Sequence, residues 1–175
     1  MLIALIGLPG SGKSTVGRQL AKRLNRPFYD TDQVIEQKLG CSIRDYFDQE
    51  GELRFRDVEE SVLDELTTLT HSVISTGGGS VLRLVNRQWL HKRGYAVYLH
   101  STPDEIFRRL RHDQNRPLLQ VANPLEKLKE LYTERDPLYR EVAHFAVQTG
   151  RPSVLTLVNM IVQQLEMAGV VEPGR

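Results

Sequence analysis

Gly7–Ser14 reads GLPGSGKS and fits the spacing G-x-x-x-x-G-K-[ST], with Gly7, Gly12, Lys13 and Ser14 at the fixed positions. Residues of these types at this spacing hold polyphosphate. The backbone N–H groups must wrap the anion at close range, which glycine permits. A helix must start at the loop, so that its free N–H groups and dipole face the phosphates. Lys13 adds a point charge for the outer phosphates, and the Ser14 hydroxyl can join a Mg²⁺ shell. A second candidate group is Asp30 and Asp32, two acids at i, i+2. At the carboxyl end of a strand they can point into one crevice, where open α/β sheets bind ligands. Helix capping by either acid is the plainer alternative. Beside a phosphate loop a Mg²⁺-nucleotide site needs carboxylates, and Asp30 is the best-placed one. The third group is Thr76-Gly77-Gly78-Gly79-Ser80. Three glycines in a row are costly in backbone entropy, and close approach of backbone to a ligand explains them better than a flexible turn.

The elements that must position these groups follow from the hydrophobic pattern. Leu2–Ile6 is an unbroken apolar run, as a strand buried on both faces requires. Val16, Leu20 and Leu24 recur at helical spacing, and Pro27 closes that helix. Phe28–Asp30 reads as the end of a short strand, with a helix from Asp32 to about Leu39. Ser42–Asp45 resembles a capping box before a short helix through Phe47, which Gly51 breaks. A longer helix is expected from Glu52 to about Thr70, with Val58, Val62, Leu63, Leu66 and Leu69 on one face. Further strands are expected at Val73–Ser75, Tyr95–Leu99 and Phe145–Val147. Between them lie helices around Asn86–Lys92, after the start signal Thr102-Pro103-Asp104-Glu105, and after Asn123-Pro124-Leu125-Glu126. Arg135-Asp136-Pro137 should end or kink the last of these. Arg111–Asn123 is polar and suits a mobile lid. A final helix carries Val154, Leu157, Val158, Ile161 and Leu165, and Val171–Arg175 should fray. Alternating strands and amphipathic helices predict an α/β fold with a parallel sheet covered on both faces.

The whole-chain numbers narrow the function classes. With 175 residues the chain is expected to be one domain, residues 1–175. A formal net charge of +1 supports no nucleic-acid or membrane partner, and no apolar run is long enough to span a bilayer. Cys41 is the only cysteine, which points to a reducing, cytoplasmic setting and a packing role. The five histidines form no i, i+4 pair, which argues against zinc chemistry. A switch GTPase reads guanine through N-K-x-D, and this chain has no Asn-Lys pair. The strand before the glycines runs into Thr-Gly-Gly-Gly rather than ending in the Asp of a mechanical ATPase. A small kinase with a phosphate loop, a lid and an acceptor pocket remains.

The chain resembles the shikimate kinase family over nearly its whole length. The likeness rests on GLPGSGKST at Gly7–Thr15, Asp30-Thr31-Asp32, Phe55-Arg56, Gly77-Gly78-Gly79, Arg116-Pro117-Leu118-Leu119 and Arg135-Asp136-Pro137-Leu138-Tyr139. The resemblance implies a three-layer α/β/α kinase with a five-stranded parallel sheet. It also implies an acceptor-binding helical region at about 31–60, a lid at about 110–123, and a monomer. It implies transfer of the γ-phosphoryl of MgATP to the 3-hydroxyl of shikimate, in aromatic amino acid biosynthesis. Nucleotide binding then falls to Gly10, Ser11, Gly12, Lys13, Ser14 and Thr15, with Arg109 and Arg151 packing on adenine. Ser14 and Asp30 hold the Mg²⁺. Arg56 and Arg135 bind the acceptor's carboxylate, which suits Arg because its planar fork matches a carboxylate. Gly78 and Gly79 contact the acceptor through backbone, Phe47 and Phe55 wall it, and Asp32 accepts from its hydroxyls. Arg116 is the lid arginine that reaches the transferring phosphate. The rivals are a gluconate-type kinase and a non-catalytic shikimate-binding regulator on the same fold.

Overall fold

The computed structural model describes residues 1–111 and 121–174. Five strands, β1 (Leu2–Ile6), β2 (Phe28–Asp30), β3 (Val73–Ser75), β4 (Gly94–His100) and β5 (Phe145–Gln148), form one sheet in the order β2-β3-β1-β4-β5. Every neighbouring pair is parallel. The helices are α1 (Lys13–Leu24), α2 (Thr31–Leu39), α3 (Ile43–Glu50), α4 (Glu52–Leu66), α5 (Leu84–Arg93), α6 (Pro103–Leu110), α7 (Pro124–Val142) and α8 (Val154–Met167).

Alternation along β1 divides the core. Leu2, Ala4 and Ile6 face a cluster built from α2, α4, α5, α6 and α7. Ile3 and Leu5 face a second cluster, built with α1 and α8. The sheet therefore has helices on both faces, as its unbroken apolar strands require. Register then aligns the carboxyl ends: Ser75 pairs with Leu5 on one side and with Asp30 on the other. The strands that precede the phosphate loop, the paired acids and the triple glycine thus end at one level. They open the crevice there.

Several boundaries differ from expectation. Asp30, not Asp32, caps α2, so the helix begins at Thr31. α4 stops at Leu66, where the Thr67 hydroxyl donates to the Leu63 carbonyl, and Leu69 lies beyond the helix, partly exposed. α7 runs on through Pro137 to Val142. Proline there removes one helical N–H, but Tyr139 and Val142 beyond it are fully buried and hold the helix in place. The tail is not simply frayed. Val171 packs on the second core, and the Gly174 N–H donates to Glu166 Oε1 at 3.1 Å. The start signal at Thr102 forms a full capping box with Glu105, Ser42 makes only its own half by accepting from the Asp45 N–H, and Asn123 makes no side-chain cap bond. Among the described residues, no helix is long and apolar enough to cross a membrane.

Candidate active site

The phosphate loop joins β1 to α1. Gly10 and Gly12 take φ of 82° and 92°, a left-handed conformation that glycine adopts without strain. A Cβ at Gly10 would also meet the Leu110 side chain at 2.8 Å, so α6 packs directly on the loop. Lys13 is buried, and its Nζ donates to the carbonyls of Gly7 (2.7 Å) and Leu8 (2.8 Å). Ser11 is buried with its hydroxyl unpaired, while Thr15 is exposed. Arg109 reaches back from α6 and donates to the Gly10 carbonyl at 2.8 Å, placing its guanidinium over the loop. Arg151 is exposed in the turn before α8.

The two oxygens of Asp30 have different partners. Oδ1 accepts from the N–H groups of Asp32 (3.0 Å) and Gln33 (3.4 Å), which caps α2. Oδ2 accepts from the Ser14 hydroxyl at 2.8 Å, and Ser75 Oγ lies 3.4 Å from the same hydroxyl. A hydroxyl and a carboxylate oxygen side by side, next to a phosphate loop, make a donor set of the kind Mg²⁺ takes. That ion prefers oxygen and fills its other positions with phosphate and water. Among the described residues no group of three or more His, Cys, Asp or Glu is placed to hold a metal ion.

Asp32 points the other way, over the glycines. A Cβ at Gly77 would meet Asp32 Oδ1 at 2.8 Å. Asp32 reaches solvent through the cleft, yet protein surrounds much of it. Burial pushes its carboxyl up to about 6, Asp30, Glu59 and Glu36 reinforce the rise, and Lys13 opposes it. A cleft of about 220 Å³ runs from Gly10, Lys13 and Ser14 past Asp30 and Asp32 to Gly77 and Gly78. From Asp32 a wider hollow of about 770 Å³ continues along α2 and α3 past Arg44 and Phe47 to Val121. A separate hollow of about 510 Å³ opens beside Thr15 between α1 and α8, walled by Val154 and Leu155.

The triple glycine is a close approach. A Cβ at Gly79 would meet Arg56 Nη1 at 2.3 Å, and one at Gly78 would meet Pro9 Cδ at 2.6 Å and Arg135 Nη1 at 3.2 Å. Two guanidinium groups, from α4 and α7, therefore converge on adjacent glycines. The Nε atoms of both arginines are buried without a hydrogen-bond partner. Such N–H groups cost free energy unless something accepts from them, and an anion in this wall would. Phe55 is 5% exposed and Phe47 36% exposed, with ring centroids 5.6 Å apart, and the Arg56 guanidinium lies 5.2 Å from the Phe55 ring.

Two positioning residues carry no assigned role in the sequence: Glu59, which no motif contains, and Tyr139, which ends the Arg135–Tyr139 motif. Glu59 is 1% exposed and accepts from Arg56 Nη1 at 2.9 Å and from the Ser80 hydroxyl at 3.3 Å. Burial raises its carboxyl above the usual range, and the Arg56 charge pulls it back. Its signal was the i, i+3 spacing from Arg56, which looks the same on any solvated helix face. Tyr139 is fully buried and donates its hydroxyl to the Gly78 carbonyl at 2.6 Å. Arg116, with the Arg116–Leu119 motif, lies outside the described residues.

Known proteins share this chain's sequence pattern and fold. The family model described as shikimate kinase matches residues 9–166. The shikimate kinase of Paracidovorax citrulli is 59% identical over 98% of this chain and 96% of its own length. That of Ralstonia nicotianae is 52% identical over 98% and 90%. Among solved structures, shikimate kinase from Acinetobacter baumannii in complex with shikimate superposes with a TM-score of 0.90 at 45% identity. It covers 95% of this chain and 93% of that one. The Aquifex aeolicus shikimate kinase gives 0.82 at 37% identity over 97% and 98%. A match of this extent, in sequence and in fold, makes the chain a member of the shikimate kinase family.

Proposed function

We propose that this chain transfers the γ-phosphoryl group of ATP to the 3-hydroxyl of shikimate, giving shikimate 3-phosphate and ADP. The observation that carries the acceptor assignment is the pair of arginines on the triple glycine. Arg56 and Arg135 present two guanidinium groups whose buried Nε–H donors make no hydrogen bond, the nearest carboxylate to Arg56 Nε being Glu52 at 3.6 Å, beside backbone stripped of side chains. A small ring bearing one carboxylate fits that wall. Gly78 and Gly79 let both guanidinium groups close onto the backbone and contact the ring through that backbone, and Phe47 and Phe55 pack on its apolar edge. Asp32 faces the phosphate loop across the same cleft and accepts from the attacking hydroxyl. Gly10 through Thr15 hold the phosphates, and Arg109 and Arg151 take the adenine, next to the apolar hollow at Val154 and Leu155.

Ser14 and Asp30 are the residues that hold Mg²⁺, which supplies positive charge against the phosphate oxygens when bound. In phosphoryl transfer the transition state is loose and its charge is spread over the moving group. Lys13, Arg116 and the loop N–H groups are the protein's contribution to that charge. With little covalent chemistry required, orientation of the hydroxyl by Asp32 matters at least as much as its basicity. The chain acts as one kinase domain over residues 1–175, with the acceptor region at about 31–60 and the lid at about 110–123. It works as a monomer in the cytoplasm, on small molecules only.

The test is coupled ADP release with MgATP and shikimate, with gluconate and acceptor-free reactions alongside. Release that depends on shikimate is the expected result. Release with gluconate alone overturns the acceptor, and bound ATP with no release under any condition makes the chain a binding protein. Arg116→Ala should lower kcat ~10²-fold. A change confined to KM would make Arg116 a ground-state binding residue instead.

A further inference from the structure

The carboxyl end of β4 carries a buried histidine that the reaction does not use. His100 is 7% exposed and bridges two elements. Its Nδ1 lies 2.5 Å from Gln148 Oε1 on β5, and its Nε2 lies 2.8 Å from the Tyr132 hydroxyl on α7. The amide oxygen can only accept, so Nδ1 carries the proton. Nε2 shares the second hydrogen bond with the Tyr132 hydroxyl. One turn further along α7, Asp136 lies 4.0 Å from the same Nε2 and accepts from the Tyr98 hydroxyl at 2.7 Å. Arg140 closes the cluster from the solvent side, donating to both Asp136 oxygens at 3.2 and 3.0 Å.

This cluster grips the weakest turn of α7. Pro137 has no N–H to give to the carbonyl four residues back, so the helix around Thr133–Pro137 lacks a hydrogen bond that its neighbours have. Arg135 sits in that turn, and its Nε is buried without a partner. Its guanidinium also bonds Tyr139, one turn further along the same helix, so its place beside Gly78 depends on how that helix is held. Tyr132 and Asp136, at i and i+4, anchor one face of the turn to the sheet, and Tyr139 anchors another to the Gly78 carbonyl.

We infer that His100 is a positioning residue for Arg135: by tying α7 to β5 across a turn weakened by proline, it holds the guanidinium where the acceptor's carboxylate is bound. The inference rests on the assignment of Arg135 to that carboxylate. His100 itself touches neither substrate.

The experiment is steady-state kinetics on His100→Leu, His100→Gln, Tyr132→Phe and Arg135→Ala, and on His100→Leu combined with Arg135→Ala. His100→Leu should raise KM for shikimate about fivefold, the scale of one lost buried hydrogen bond. Its kcat and KM for ATP should stay within about twofold of wild type on the same scale. His100→Gln keeps one donor and one acceptor and should restore most of the KM. Tyr132→Phe removes a single hydroxyl without altering the ring, so it reports on the same bond should the leucine variant fold poorly. In the Arg135→Ala background His100→Leu should raise KM no further, because the group it positions is gone. Equal effects with and without Arg135, or parallel changes in both KM values and kcat, would overturn the inference and leave His100 a packing residue. If Arg135→Ala binds shikimate normally, the carboxylate assignment fails first and the inference fails with it.

Discussion

Asp32 shows how a carboxyl proposed to orient the acceptor can be unfavourable for the fold. Its ordinary value is 3.8, and burial with three neighbouring acids raises it to about 6. Between these values the folded chain keeps a proton that the unfolded chain has lost. Stability therefore falls as pH rises from about 4 to about 6, and at neutral pH the ionised group is a net strain on the fold. Asp32→Asn should accordingly raise Tm at pH 7. The group reaches solvent, so the effect is discounted to about 1 kcal/mol, or roughly 2–4 °C. The same variant should lose turnover while still binding ATP. Calorimetry and the coupled assay check both halves, and wild-type turnover would remove Asp32 from the site. In the native enzyme kcat/KM for shikimate should fall as pH drops below about 6, where Asp32 takes up a proton.

Gly79 tests the wall at the same scale. A methyl group there falls 2.3 Å from Arg56 Nη1, and Arg56 is held behind by the buried Glu59. Gly79→Ala should displace the guanidinium and raise KM for shikimate ~10-fold or more, as losing a charge-assisted bond does. KM for ATP should be unaffected, because the phosphate loop is untouched. An unchanged KM for shikimate would show that Arg56 yields without loss.

At the scale of elements, the seam between α5, β4 and the end of α7 holds a pH-sensitive contact far from the crevice. His91 stacks on His144 at 4.2 Å, and Tyr95 stacks on the other side at 4.9 Å. His144 Nδ1 accepts from the Ala96 N–H at 3.0 Å, so that nitrogen cannot also carry a proton. Burial, and then His91, lower His144 below its ordinary 6.5. The unfolded chain thus takes up this proton first. The seam is at full strength above pH 6.5 and loses stability as pH falls through the lowered folded value. His144→Asn keeps an acceptor for Ala96 but does not titrate. It should flatten the fall in Tm between pH 7 and 5.5, and an unchanged slope would assign the acid lability elsewhere.

For the molecule as a whole, register brings the separate groups together. Ser75 aligns with Leu5 and with Asp30, so three strand ends meet at one crevice although they are far apart in the chain. The two arginines come from α4 and α7, and only the packing of both on the same face of the sheet makes them a pair. A ligand that binds this assembled crevice should stabilise the whole fold. At a hundredfold excess over its Kd, MgADP or shikimate should add about 2.7 kcal/mol, a Tm rise of several degrees. Shikimate should lose that effect in Arg56→Ala while MgADP keeps it.

The phosphate loop, the buried strands, the acid pair and the triple glycine were legible in the amino-acid sequence, because each depends on residues close together in the chain. A loop that needs Gly10 and Gly12 at positive φ, and a helix starting at Lys13, are local demands with local signatures. The family resemblance extended this to Arg56 and Arg135, whose separate helices carry no local mark of their role. What only tertiary structure decided were contacts between distant segments. Asp30 divides its two oxygens between a helix cap and Ser14 because β2 ends level with α1. Glu59 is an anchor and not a solvated acid because α4 turns it toward Ser80. α7 continues past Pro137 because Tyr139 is buried against the glycine loop, so packing outweighs the lost backbone bond. Local preference is a matter of fractions of a kcal/mol per residue, and burial of a large side chain contributes about 1.5–3 kcal/mol, which is why the fold has the last word there.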